Sequence, residues 1–176
     1  MFTLIVGGAA SGKSGYAESM ILRAGDMPRT YIAAMEPFGD ESRARIARHR
    51  AMRAGKGFET VECYRGLEDV RLPGGGAVLL EDVGNLTANE LYSPGGAGED
   101  TVEAVLRGID ALRTQCGELV VVSNDVFSGG ADYAGDTERY LRMLGLIDCA
   151  LAKQADNVAE LVWGIPIYHK GKEPYP

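Results

Sequence analysis

The residues with the clearest chemical meaning are Gly7-x-x-x-x-Gly12-Lys13-Ser14. Glycines let a backbone close around a polyphosphate with successive N–H groups turned inward as an anion nest. A helix beginning at Lys13 adds the positive end of its dipole. Lys13 can then reach the β- and γ-phosphates, and the Ser14 hydroxyl can ligate Mg²⁺. Gly7, Gly8, Ala9, Ala10, Ser11, Gly12, Lys13 and Ser14 together form a candidate cradle for a nucleoside triphosphate. The rival account is a chance match in a chain with 24 glycines. Context argues against it, because an apolar run, Phe2 to Val6, precedes the pattern and a helical composition follows.

Two further groups have chemical potential. Ala77-Val78-Leu79-Leu80-Glu81-Asp82 is an apolar strand ending in acid, the Walker-B arrangement that sets a carboxylate near phosphates and metal. Strands also end in Asp or Glu merely to meet water; the phosphate loop upstream favours the functional role for Glu81 or Asp82. The second group is His49 among Arg43, Arg45, Arg48, Arg50 and Arg53. A neutral imidazole, with an ordinary pKa near ~6.5, can attack phosphorus, and arginines stabilise the charge on phosphate oxygens. Composition alone would make His49 a solvated surface residue.

The elements that must position these groups alternate. Phe2–Val6 reads as a strand, and a helix runs through the phosphate loop's end to Ala24, stopped by Gly25 and Pro28. Thr30–Ala34 is a second strand. Asp40 is the expected N-cap of an arginine-rich helix, Glu41 to about Ala54, with Ile46 and Met52 as its apolar anchors. Strands follow at Phe58–Cys63, Ala77–Asp82, Leu119–Ser123 and Asn157–Trp163, with helices at Asn85–Leu91, Glu99–Gln115 and Thr137–Ala155. The glycine-bearing loop Phe127–Asp136 is expected to move, and Ile165–Pro176 to be a tail. The alternation implies a mostly parallel sheet covered on both faces: a three-layer α/β P-loop (RecA-like) nucleotide-binding fold in a single domain, residues 1–176.

A net charge of −7 argues against a general nucleic-acid binder. Cys63, Cys116 and Cys149 lack metal or disulfide spacing and suit a reducing cytosol. No signal peptide or membrane span is read, so a cytoplasmic location is expected.

Against this background the chain resembles the bifunctional adenosylcobinamide kinase / adenosylcobinamide-phosphate guanylyltransferases of cobalamin biosynthesis. The likeness rests on Gly7-Gly8-Ala9-x-Ser11-Gly12-Lys13-Ser14-x-x-Ala17-Glu18, Tyr31-Ile32-Ala33 and Arg45-Ile46-x-x-His49-x-x-x-Arg53. It continues through Thr60-x-Glu62, Leu79-Leu80-Glu81, Asn89-x-Leu91, Val122-Ser123-Asn124 and Ala155-Asp156. The resemblance implies transfer of a terminal phosphate from ATP or GTP to adenosylcobinamide. It then implies attachment of GMP from GTP by way of a guanylylated histidine, which His49 alone matches. It further implies that Ala33, Ala34, Met35, Arg50, Ala51, Met52, Arg53, Glu62 and Glu81 line the guanine nucleotide. Ser14 and Glu81 would hold Mg²⁺, and the assembly would be a homotrimer whose neighbouring subunit completes the site.

The chain departs from the family at Asn124-Asp125-Val126-Phe127-Ser128-Gly129, at Tyr140-Leu141-Arg142 and at Asp148-Cys149. These departures fall where the corrinoid or an adjacent subunit would be met. They leave two other readings: a diverged small-molecule kinase without guanylyl transfer, and a nucleotide-binding module without turnover. The second leaves Glu81 and the His49 helix unexplained.

Overall fold

A computed structural model describes residues 1–127 and 134–175. Its frame is one seven-stranded sheet in the order β3-β2-β4-β5-β1-β6-β7. The strands are β1 (Phe2–Gly7), β2 (Arg29–Ala33), β3 (Phe58–Glu62), β4 (Ala77–Glu81), β5 (Glu118–Asn124), β6 (Asn157–Val162) and β7 (Ile165–Lys170). All neighbours from β3 to β6 pair in parallel, and β7 alone runs antiparallel, against β6. The helices are α1 (Lys13–Arg23), α2 (Gly39–Arg53), α3 (Val83–Tyr92), α4 (Thr101–Arg113) and α5 (Asp136–Gln154).

The central strands are apolar at successive positions because both faces of the sheet are covered. Leu4, Leu80 and Val121 turn to one face, where Leu86, Ile109, Leu112, Leu144, Ile147 and Leu151 from α3, α4 and α5 close over them. Ile5, Leu79, Val120 and Val122 turn to the other, against Ala17, Met20 and Ile21 of α1. Each fully buried side chain of this kind contributes about 1.5–3 kcal/mol. Together they fix the carboxyl ends of the strands, where the candidate groups lie.

Helix α2 is built differently. Its single buried residue is Arg53. Met52, expected to be an apolar anchor, is 45% exposed. Polar links from Arg45 to Asp82 and from Arg50 to Glu62 hold the helix instead. Asp40 lies within the first turn rather than capping it, since the helix starts at Gly39 after Phe38. Asp82 does cap α3, accepting from the Asn85 N–H.

Ile165–Lys170 is a strand and not the start of a tail. As the outermost strand it tolerates Pro166, whose missing N–H would interrupt a central ladder. The loop expected to move lies mostly outside the described residues.

Candidate active site

The register of the parallel strands aligns the site. Glu62 is paired with Ala33, Ala33 with Glu81, and Glu81 with Val122. One level across, Gly7 at the end of β1 is paired with Asn124 at the end of β5. Only β5 separates the phosphate-loop strand from the acid-bearing β4.

The loop itself is tightly folded. A Cβ at Gly7 would lie 2.6 Å from Ser11 Oγ, and Gly12 sits at φ 91°, so both positions require glycine. Lys13 is buried and its Nζ donates to the Gly8 carbonyl at 3.0 Å. Burial lowers the Lys13 pKa, while Asp82 and Glu81 work to keep it charged. The Ser14 hydroxyl donates to Glu81 Oε1.

Glu81 is buried, and its pKa is pushed up to about 7, chiefly by that burial. The Ser14 hydroxyl opposes the shift, and the negative charge of Asp82 and Glu18 adds to it. Its Oε2 is buried without a hydrogen-bond partner. A hydroxyl, a carboxylate with an orphaned oxygen and the adjoining buried Asp82 form a hard-oxygen donor set that fits a divalent cation such as Mg²⁺.

His49 reaches the same place from α2. Its Nδ1 lies 3.9 Å from Glu81 Oε1 and 3.5 Å from the Tyr31 hydroxyl. Its pKa is lowered, first by burial and then by the charges of Arg45 and Arg53, against the pull of Glu18 and Asp82. The lowered pKa favours the neutral form of the ring. Arg45 Nη2 lies 3.6 Å from Asp82 Oδ2, and Arg50 pairs with Glu62. Just past the helix, Lys56 Nζ donates at 2.5 Å to Glu18 of α1, whose side chain is fully buried.

Tyr31, Arg45, His49, Glu81 and Asp82 help wall a cavity of about 580 Å³, a size that accommodates a nucleotide; the phosphate loop, Gly7 to Ser14, lies outside its lining. Of the expected nucleotide contacts, Ala33, Met35, His49, Arg50, Arg53, Glu62 and Glu81 line it. Ala51 and Met52 lie on the exposed side of α2, and Ala34 is fully buried with its N–H bonded to the Glu81 carbonyl. Tyr31, Arg43, Arg45, Thr60 and Tyr64 also line the cavity and were not expected as contacts. Arg45, His49 and Arg53 are spaced four apart, which places them along one helical face, and this spacing was a usable signal for Arg45.

A phosphate loop on β1, a carboxylate on β4 and an arginine-rich wall define a P-loop nucleotide-binding protein of α/β type. Comparison with known proteins agrees and goes further. The family described as CobU, cobinamide kinase / cobinamide phosphate guanyltransferase, matches residues 3–168, and this chain belongs to it. The bifunctional adenosylcobalamin biosynthesis protein CobU of Salmonella typhimurium is 32% identical, covering 95% of this chain and 98% of the relative. Its Escherichia coli counterpart is 31% identical over the same shares. The Pseudomonas aeruginosa protein CobP is 29% identical over 98% of this chain and 99% of its own length. Among solved structures, flagellar accessory protein FlaH from Methanocaldococcus jannaschii shares the fold, with TM-score 0.53 and 9% identity, over 99% of this chain and 80% of that one.

Proposed function

We propose that this chain phosphorylates adenosylcobinamide with ATP or GTP and then joins GMP from GTP to the product, giving adenosylcobinamide-GDP. The observation that supports the reading is that two machineries converge on one carboxylate: Ser14 of the phosphate loop donates to Glu81 Oε1, and His49, its pKa lowered by burial, stands 3.9 Å from the same oxygen.

In the first reaction the substrate hydroxyl attacks the γ-phosphorus. The P–O bond to the β-phosphate breaks, and loop N–H groups and Lys13 spread the charge. Ser14 and Glu81 would hold Mg²⁺, which supplies charge neutralisation at the phosphates when bound. In the second, His49 Nδ1 is held against Tyr31 and Glu81, which leaves Nε2 as the attacking nitrogen. An N–P bond forms at the α-phosphorus of GTP and pyrophosphate leaves with the P–O electron pair. An oxygen of adenosylcobinamide phosphate then attacks the same phosphorus, and the N–P bond breaks to regenerate the imidazole. Arg50 and Arg53 steady the phosphates, while Ala33, Met35 and Glu62 border the guanine nucleotide.

The enzyme works as a cytoplasmic homotrimer of single-domain subunits. No described helix is long and apolar enough to cross a membrane. The acidic net charge of −7 disfavours nucleic acid as a partner.

The test is a two-stage turnover assay with adenosylcobinamide, ATP and GTP, followed by mass spectrometry of the corrinoid. Lys13→Ala should stop the chain of products at unmodified adenosylcobinamide. His49→Asn should stop it at the phosphate. Nucleotide consumption with an unchanged corrinoid would refute the substrate assignment.

A further inference from the structure

The hairpin turn between β6 and β7 carries a residue that local physics would not select. Val162 pairs with Ile165, leaving the two-residue loop Trp163-Gly164. Both residues have positive φ, 50° and 80°, as a type I′ turn requires. Asn or Asp is favoured at the first position, and a bulky side chain there is strained. Trp163 nevertheless occupies it, and the residue is 91% exposed.

The turn is also pinned to the phosphate loop. The Gly164 N–H donates to the Ser11 carbonyl at 2.8 Å. A Cβ on Gly12 would lie 3.3 Å from the Gly164 Cα, so loop and turn are in backbone contact. Behind the turn, the Tyr16 hydroxyl of α1 and the Tyr168 hydroxyl of β7 are hydrogen-bonded at 2.8 Å. The indole therefore stands on a rigid support at the rim of the phosphate cradle. Between them the surface is open: Gly12 and Gly15 are exposed, and a Cβ on Gly15 would meet nothing within 4 Å.

The sheet order gives this placement its meaning. The His49 cavity is walled from β3, β2 and β4, and the phosphate loop follows β1. Trp163 follows β6, on the opposite side of the loop. A triphosphate on the loop can thus lay its base in either of two directions, and the two reactions need two nucleotides. We propose that Trp163 is the stacking platform for the nucleobase of the phosphoryl donor, a purine nucleoside triphosphate, in the kinase reaction. The His49 cavity is left to the nucleotide of guanylyl transfer. An indole offers a broad face to any purine with little sequence of contacts to distinguish them. This inference rests on the phosphate loop holding a triphosphate.

Trp163 is the chain's single tryptophan, so its emission reads the site directly. The full chain with Mg²⁺ is titrated with adenylyl imidodiphosphate and, separately, with inorganic tripolyphosphate, with binding followed in parallel by calorimetry. The expected result is saturable quenching by the nucleotide and none by tripolyphosphate, although both bind. Trp163→Ala should weaken nucleotide binding and raise the donor KM roughly 5- to 100-fold, the range of one base–aromatic stack, without altering tripolyphosphate binding. Trp163→Phe should restore most of the loss. Binding of both ligands with unchanged emission, or equal nucleotide affinity in Trp163→Ala, overturns the platform while leaving the phosphate loop intact. Failure of both ligands to bind overturns the phosphate-loop reading itself, and the platform falls with it. Emission that responds to protein concentration and not to nucleotide assigns the indole to a contact with a second copy, and also overturns the proposal.

Discussion

The Arg53 guanidinium carbon sits 3.5 Å from the centroid of the Tyr31 ring. A cation over an aromatic face is worth about 0.5–2 kcal/mol, and here it seats the one buried residue of α2 against the sheet. Tyr31 is in turn the residue whose hydroxyl meets His49. Burial first, then the charge of Glu81, raises the Tyr31 pKa, so the phenol keeps its proton at any working pH. The orientation of His49 therefore depends on a strand residue, Tyr31, that is itself held by Arg53.

Tyr31→Phe should consequently slow guanylylation of His49 roughly tenfold, the usual scale for a lost outer-shell partner of an imidazole. The phosphoryl-transfer rate should change less. Parallel assays of the two half-reactions check this; equal losses in both would show a general packing defect.

The acid limb of guanylylation should report the His49 environment. Attack needs the neutral ring, and the folded pKa lies below the ordinary imidazole value. The rate should therefore hold as pH falls through 6.5 and decline only below it. Arg45→Ala removes one of the charges that depress the pKa, so its decline should begin at higher pH. A pH–rate profile of single-turnover labelling, in wild type and variant, measures both limbs.

The phosphate loop, the acid at the end of β4 and the arginine–histidine helix were legible because each is a short local pattern with a fixed chemical meaning. What was not legible depends on the far side of the fold. Arg53, a charged residue, is buried and Met52 beside it is exposed, because Tyr31 offers an aromatic seat that the helix's own sequence cannot reveal. The strand Ile165–Lys170 was hidden by Pro166, whose cost vanishes only once β7 is known to be an edge. The pairing of Glu18 with Lys56 links residues 38 apart in sequence and has no local signature.

That pair should matter for stability. Glu18 is fully buried, and Lys56→Met would leave its charge uncompensated. A loss of about 2–4 kcal/mol is expected, with the double variant Glu18→Gln, Lys56→Met recovering part of it. Urea unfolding of the three proteins measures the coupling.

Asp148 should make the fold sensitive to pH. Burial pushes its pKa up to about 7, against the Ser123 hydroxyl and with help from Asp82 and Asp125. A carboxyl raised from 3.8 contributes stability in full below that value and loses it as pH climbs through about 7. Asp148→Asn removes the ionisation, so its advantage over wild type should be smallest near pH 4 and largest above pH 7. Melting temperatures across that range check it; a gain of several degrees at pH 8 is expected.

The central claim is that His49 carries the guanylyl group, and covalent labelling tests it most directly. The protein is incubated with Mg²⁺ and GTP labelled at the α-phosphate, then denatured and separated from free nucleotide. The account predicts acid-labile, base-stable label on the chain, released pyrophosphate in equal amount, and no label on His49→Ala. Label of the same stability retained by His49→Ala would contradict it.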